Sequence, residues 1–285
     1  EQLKGYINEN KVTVLLVRSA TTARKELIDS CPGLKIIGRG GVGMDNIDVE
    51  YAREKGLSVI NTPAASSSSV AELVFAHLFG GVRFLYDSNR NMPLEGESNF
   101  KGLKKSYANG IELSGKTLGI IGFGRIGQEV AKIGLGVGMN VIATDKYMDV
   151  AEIEVSLFNG ASLKVSIETT TMEHVLEQSD FISLHVPAQK DYVIGEKELG
   201  MMKDGSVIIN AARGGVVDEV ALVNALDNKK LSFACLDTFE NEPKPEVKLL
   251  MHPKISLTPH IGAATQEAQD RIGVELGQQI ISILG

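Results

Sequence analysis

The sequence predicts an α/β protein built on parallel sheets. Short runs of β-branched and apolar residues alternate with helical patterns through most of the chain, which is typical of strands joined by crossover helices. A glycine loop, Gly122-Phe123-Gly124-Arg125-Ile126-Gly127, follows one of these runs and opens a helix. Several other runs end in charged residues, and the carboxyl ends of parallel strands are where such sheets bind ligands.

The predicted elements form two groups that are separated by a polar stretch. The first group has strands at residues 12–17, 34–38 and 57–61 and a long helix at 66–85. Residues 87–110 are rich in Gly, Asn and Lys and predict a loop with room for one helical turn. The second group has strands at 117–122, 141–145, 181–186, 207–211, 233–237 and 255–258, helices near 126–136, 172–178 and 219–226, and a last helix at 266–284.

The first group has too few strands to form a complete domain. We therefore expect it to share its core with the last helix, so that the chain enters one domain, crosses to a second and returns. The expected boundaries place residues 1–64 and 264–285 in the first domain and residues 65–263 in the second.

Composition excludes several classes of protein. The chain of 285 residues is 43% hydrophobic and 23% charged, as globular proteins are, and it has no apolar run long enough to span a membrane. Its net charge of −7 disfavours a nucleic-acid binder that depends on phosphate contacts. Two cysteines cannot build a disulfide scaffold and fit a reducing cytoplasm. No signal peptide and no metal-ligand pattern are expected.

The glycine loop has the sequence expected of a dinucleotide site. Its glycines allow a tight turn and let backbone N–H groups approach a pyrophosphate at the helix N-terminus. The next predicted strand ends at Asp145, 18 residues after Gly127, where a carboxylate can accept hydrogen bonds from both ribose hydroxyls. Asp145 also repels a 2′-phosphate, so NAD is expected rather than NADP.

Three strings in the last third of the chain offer an arginine, a carboxylate and a histidine. Arg213 follows one strand, and its planar guanidinium suits a carboxylate or a polarised carbonyl. His260 follows another strand and is suited to general acid/base catalysis. Glu242 or Glu240 would hydrogen-bond the other ring nitrogen of the histidine. The alternatives are a loop arginine, a core histidine and solvated glutamates.

Two arginines occur near the start of the chain. Arg18 and Arg39 each end a predicted strand, and Gly40 and Gly41 follow Arg39 with backbone N–H groups that could bind an anion. From these residues alone, two strand-end surface charges are the simpler interpretation.

Together these residues resemble the D-isomer-specific 2-hydroxyacid dehydrogenases, most closely the phosphoglycerate branch of that family. The resemblance runs from about residue 14 to 279. It is carried by the glycine loop and by the strings at 17–21, 38–48, 210–218, 236–243 and 258–265. It implies two doubly wound α/β domains, a Rossmann NAD-binding domain inserted in a flavodoxin-like substrate domain, with NAD between them and a homodimer formed through the NAD-binding domain.

The resemblance also implies a role for each matching residue. The catalytic arginine, glutamate and histidine fall on Arg213, Glu242 and His260; Glu242 is chosen over Glu240 because it directly precedes proline. Arg18 and Arg39, with Gly40 and Gly41, become a substrate phosphate site. The implied cofactor contacts are Gly122, Gly124, Arg125, Ile126, Gly127, Asp145, Val186, Ala211, Asp237 and Gly262.

The expected activity is NAD-dependent oxidation of 3-phospho-D-glycerate to 3-phosphohydroxypyruvate, the entry step to serine. A hydroxypyruvate/glyoxylate reductase or D-lactate dehydrogenase on the same scaffold is the enzymatic alternative, and an NAD(H)-sensing protein similar to the family's corepressors is the alternative from another class. Compared with the family pattern, a first strand and helix would precede residue 1, so the substrate domain is expected to be truncated. No regulatory domain is expected after residue 285.

Overall fold

The computed structural model describes residues 2–18 and 20–285. These residues form two compact units. Unit 1 comprises residues 1–69 and 263–285, and unit 2 comprises residues 70–262. The sequence placed these boundaries after residues 64 and 263, whereas the two units divide after residues 69 and 262.

Unit 1 is built on a three-stranded parallel sheet in the order β1-β2-β3. Apolar side chains of its helices and strands, among them Ile7, Leu27 and Ile37, form its main core. On the last helix, Ile272 and Leu276 belong to a smaller cluster that includes Ala65. The elements are α1 (Gln2–Glu9), β1 (Val14–Val17), α2 (Lys25–Ser30), β2 (Ile36–Arg39), α3 (Val49–Glu54), β3 (Ser58–Asn61) and α12 (Gln266–Leu284).

Unit 2 is built on a six-stranded, entirely parallel sheet in the order β11-β10-β9-β8-β4-β5. Every residue of β8 and β9 is buried, as is expected of central strands that are covered on both faces. The strands are β4 (Thr117–Ile121), β5 (Asn140–Thr144), β8 (Phe181–Leu184), β9 (Ser206–Asn210), β10 (Leu231–Leu236) and β11 (Ile255–Leu257). A separate antiparallel hairpin consists of β6 (Val150–Ser156) and β7 (Ser162–Glu168).

Neighbouring residues of these strands pack into different cores. Val207 and Ile209 belong to one apolar cluster and Ile208 to another, because successive side chains of a strand point to opposite faces of the sheet. Helices cover the sheet as in a Rossmann domain. They are α4 (Ser67–Val82), α5 (Leu85–Glu95), α6 (Phe100–Ser106), α7 (Arg125–Val137), α8 (Met172–Gln178), α9 (Glu196–Met201), α10 (Glu219–Asp227) and α11 (Val247–Leu250).

The prediction of a loop over residues 87–110 was wrong, since α5 and α6 occupy most of this stretch. The amphipathic pattern fails here because α5 buries none of its side chains and contains Pro93. Side chains join the two helices instead: Tyr107 donates a hydrogen bond to Asp87 at 2.8 Å and accepts one from Asn91 at 2.7 Å.

In the described residues no single helix is long and apolar enough to cross a membrane. Only α4 and α5 taken together have the length and composition, and they are bent by 53° relative to each other.

Candidate active site

One edge of the unit 2 sheet collects the predicted chemistry. Because all six strands are parallel, their carboxyl ends lie at the same edge. The segments that leave this edge contain every site residue predicted for unit 2. They are the glycine loop after β4, Asp145 after β5, Val186 after β8, Ala211 and Arg213 after β9, Asp237 and Glu242 after β10, and His260 and Gly262 after β11.

The three glycines of the loop have three different roles. Gly122 has a φ of +93°, and a side chain there would contact the backbone of His185 at 2.7 Å. A Cβ on Gly127 would lie 2.3 Å from the carbonyl oxygen of Gly122, so this glycine allows the helix to pack closely on the turn. Gly124 precedes α7 and faces open space. The loop therefore leaves room for a pyrophosphate at the N-terminus of a 13-residue helix, next to Arg125 and Ile126.

Asp145 is held by the turns on either side of it. Its Oδ2 accepts a hydrogen bond from the backbone N–H of Phe123 at 2.7 Å, and its Oδ1 accepts one from that of Tyr147 at 2.8 Å. Each carboxylate oxygen can accept a second hydrogen bond. Asp145 can therefore bind the two hydroxyls of a ribose while the backbone fixes its orientation, and the loop and this carboxylate together fit NAD.

The segment around Arg213 is shaped by Asn210. The side chain of Asn210 accepts a hydrogen bond from the N–H of Ala212 at 3.1 Å and donates one to the carbonyl oxygen of Arg213 at 2.9 Å. Arg213 donates to the carbonyl oxygen of Ala212 at 2.6 Å. A Cβ on Gly214 would lie 1.8 Å from the carbonyl oxygen of Phe239, so this turn requires glycine.

Glu242 and His260 form a pair. His260 Nδ1 lies 2.8 Å from Glu242 Oε2, and Glu242 Oε1 accepts a hydrogen bond from the N–H of Phe239 at 3.0 Å. The two side chains are 36% and 40% exposed, so solvent and substrate can reach them. With Nδ1 paired to Glu242, Nε2 is the other ring nitrogen of His260.

Glu240 points elsewhere. Its Oε1 accepts a hydrogen bond from the N–H of Glu219 at 3.0 Å, and its N–H donates to Glu219 Oε1 at 2.8 Å. Tyr192 donates to its other oxygen at 3.3 Å. Glu240 thus joins the segment after β10 to the start of α10, and burial raises the pKa of Glu219 at this junction.

Asp237 holds the segment that carries His260. Its side chain is buried and accepts hydrogen bonds from the hydroxyl of Thr258 at 2.6 Å, from the N–H of Ile261 at 2.8 Å and from that of Gly262 at 2.9 Å. Asp237 was expected as a contact near the nicotinamide. In the structure both its carboxylate oxygens bind the chain itself.

The arginines of unit 1 lie at one edge of its sheet. Val17 and Arg39 are partners in the β1–β2 register, so Arg18, which follows Val17, is near the same strand end. Arg39 donates to Asn46 Oδ1 at 3.2 Å and to the carbonyl oxygen of Gly40 at 2.7 Å, and Asn46 Nδ2 donates to the carbonyl oxygen of Arg18 at 2.9 Å. Gly41 has a φ of +148°, and a Cβ there would lie 2.5 Å from Arg39 Nη1.

Asn46 was missed by the sequence reasoning. A single asparagine in a glycine-rich turn carries no distinguishing pattern, and only the fold places it between the two arginine segments.

The glycine loop with an acidic residue after the next strand, and a histidine paired with a glutamate, are features of NAD-dependent dehydrogenases. Residues 75–262 match the model of the family described as D-isomer specific 2-hydroxyacid dehydrogenase, NAD binding domain. The chain belongs to this family. It is an oxidoreductase with a Rossmann NAD-binding domain.

Individual relatives are also dehydrogenases or reductases. The chain is 44% identical to a hydroxypyruvate reductase of Thermotoga maritima over 96% of its own length and 86% of that protein. It is 42% identical to a D-3-phosphoglycerate dehydrogenase of Methanocaldococcus jannaschii over 95% of its length and 49% of that protein. A D-lactate dehydrogenase from Aquifex aeolicus, solved with NAD and lactic acid, matches with a TM-score of 0.80 and 31% identity over 99% of this chain and 85% of that one.

The relatives differ in length. The chain spans about half of the phosphoglycerate dehydrogenases that it matches, with coverage of 48% to 50%, but most of the hydroxypyruvate reductase. Sequence similarity to these relatives therefore does not select one substrate.

Proposed function

We propose that this chain oxidises 3-phospho-D-glycerate to 3-phosphohydroxypyruvate with NAD, the entry step to serine. The observation that carries the proposal is the placement of Arg18 and Arg39 at neighbouring strand ends of unit 1, joined by Asn46. Two guanidinium groups on neighbouring strands suit a phosphate dianion, which a hydroxy acid without phosphate does not need.

Each side chain of unit 2 has a chemical role in this proposal. Arg213 binds the carboxylate and polarises the C2 oxygen. His260 Nε2 accepts the C2 hydroxyl proton as the hydride leaves C2, which gives the 2-keto acid, and Glu242 stabilises the imidazolium that results. NAD, when bound, would supply the hydride acceptor. His260 then returns its proton to solvent.

Hydroxypyruvate reduction is the second candidate. It is favoured by the 44% identity to the Thermotoga maritima hydroxypyruvate reductase, of which the chain covers 86%. The same residues of unit 2 would run the reaction in the reverse direction, with His260 donating the proton.

Substrate profiling tests the proposal. NADH oxidation is followed with 3-phosphohydroxypyruvate, hydroxypyruvate, glyoxylate and pyruvate at matched concentrations, and kcat/KM is compared. The proposal expects 3-phosphohydroxypyruvate to exceed hydroxypyruvate by about tenfold or more, the usual effect of one lost charged hydrogen bond. Equal or higher kcat/KM for hydroxypyruvate would reject it in favour of the second candidate.

The proposal includes a cytoplasmic homodimer formed through the NAD-binding unit. Both cysteines are buried and free, which suits a reducing compartment. On α5, Leu85, Tyr86 and Leu94 are 64%, 64% and 79% exposed, and an apolar surface of this kind suits a second copy of the chain. Sedimentation equilibrium measures the mass in solution, and a monomer at micromolar concentration contradicts this part of the proposal.

A further inference from the structure

A buried histidine lies on α4, within unit 2. His77 is 5% exposed, and Val74 and Leu78 on the same helix are completely buried. A buried imidazole is costly unless both ring nitrogens have partners. Both do: Nδ1 lies 2.7 Å from Ser256 Oγ, and Nε2 lies 2.9 Å from Thr258 Oγ1.

The hydrogen bonds around His77 have one direction. The hydroxyl of Thr258 donates its only proton to Asp237, so it must accept from His77 Nε2–H. Burial lowers the pKa of His77, which favours the neutral ring with a single proton. The other nitrogen, Nδ1, therefore accepts from the hydroxyl of Ser256. The chain of donors runs from Ser256 through His77 and Thr258 to Asp237.

This series of hydrogen bonds ends at the turn that carries His260. Asp237 also accepts from the N–H groups of Ile261 and Gly262, the two residues that follow His260. His260 has a φ of +55°, a left-handed conformation that a side chain adopts only where the surroundings impose it. The hydrogen bonds to Asp237 supply such a constraint.

We propose that His77 is a positioning residue for His260. Its Nε2–H occupies the acceptor side of Thr258 and so directs the hydroxyl proton to Asp237, which also accepts from the backbone N–H groups of Ile261 and Gly262 directly after His260. His77 touches neither substrate nor cofactor in this role. The inference rests on the proposed function, because it takes His260 as the acid/base.

Two substitutions of His77 separate its two contacts. In His77→Gln the side-chain amide reaches as far as Nε2 and can still donate to Thr258, whereas in His77→Leu both hydrogen bonds are lost. We expect kcat with hydroxypyruvate and NADH to fall about tenfold in His77→Leu, since a small displacement of a catalytic group has effects of this order. His77→Gln should recover most of the loss, and KM for NADH should stay within about twofold.

Val74→Ala is the matched control, because it opens a cavity in the same helix without touching the hydrogen bonds. It should lower the melting temperature and leave kcat unchanged. Should His77→Leu not fold, Thr258→Val replaces it, since that substitution removes the hydroxyl that accepts from His77 Nε2–H and donates to Asp237.

A double-mutant cycle with His260→Ala decides the question. If His77 acts through His260, His77→Leu costs about tenfold in kcat when His260 is present and less than about twofold in the His260→Ala background. An equal loss in both backgrounds, or no loss in His77→Leu, overturns the inference. Full activity of the His260→Ala single variant instead contradicts the proposed function, so the two failures are distinguishable.

Discussion

The two parallel sheets of this protein present different kinds of groups at their carboxyl edges. In unit 2, the ionisable groups are each oriented by a second protein group: Glu242 holds the ring of His260, and Asp237 holds the turn around it. In unit 1, the corresponding edge carries Arg18 and Arg39, and the side chain of Asn46 connects the guanidinium of Arg39 to the backbone carbonyl of Arg18. Proton transfer requires donor and acceptor atoms in fixed positions, whereas binding a phosphate requires positive charge. Under the proposed function, reaction type and substrate choice therefore reside in different units and can be altered separately.

The largest effect is expected for the acid/base of unit 2. His260→Ala should lower kcat by about 10²- to 10⁴-fold, because no group remains to exchange a proton with the C2 oxygen. The dissociation constant of NADH, measured by fluorescence, should change little. If turnover and NADH binding fell together, His260 would have to be assigned to cofactor binding.

Substitutions of Glu242 and Glu240 should have sharply different effects on turnover, although the two residues are only two positions apart. Glu242→Gln should lower kcat by about 10- to 100-fold, since it removes the charged partner of the imidazolium. Glu240→Gln is the matched control and should affect stability more than turnover, because Glu240 bonds to Glu219 and Tyr192. The opposite ranking of the two kcat values would exchange their roles.

In unit 1, Arg39→Ala should act on substrate choice alone. We expect kcat/KM for 3-phosphohydroxypyruvate to fall about 10- to 100-fold, the effect of losing a charged hydrogen bond, and that for hydroxypyruvate to change little. Steady-state kinetics with both substrates gives the ratio. A similar loss for both substrates would show that the two units do not divide the labour in this way.

The smallest effect concerns the loss of stability at acid pH, which should depend on histidines of unit 2 and not on unit 1. All five histidines lie in unit 2, and burial lowers the pKa of His185 to about 3. The unfolded chain, with a histidine pKa of about 6.5, then binds more protons than the folded one, so stability is complete above that pH and falls as the pH drops toward 3.

Between pH 7.5 and 5.0 this group should cost about 2 kcal/mol of unfolding free energy. Urea unfolding at the two pH values measures the loss. His185→Gln keeps an amide within reach of Ser183, the partner of Nε2, and should reduce the pH dependence by that amount. An unchanged pH dependence in the variant would place the acid sensitivity elsewhere.

Much of unit 2 could be predicted from local patterns. The strands and the glycine loop are contiguous in sequence, and Gly122, Gly124 and Gly127 occur at the spacing that the turn requires. The prediction of an α/β fold with a Rossmann domain and NAD is confirmed by the family match and the solved relatives. Helix α5 could not be predicted because it buries no side chain and so has no apolar stripe, and α6 is short and buries only Leu103.

The sequence by itself determined the class of fold, the cofactor and the type of reaction, because these depend on residues close together in the chain or at the ends of recognisable strands. The family resemblance already predicted Glu242 as the partner of His260, and the tertiary structure decided the others. It sends Glu240 to Glu219 and joins His77 to Thr258 across 181 residues. Such pairs depend on strand register and helix packing, which bring distant residues within hydrogen-bond distance, and no local pattern records that distance.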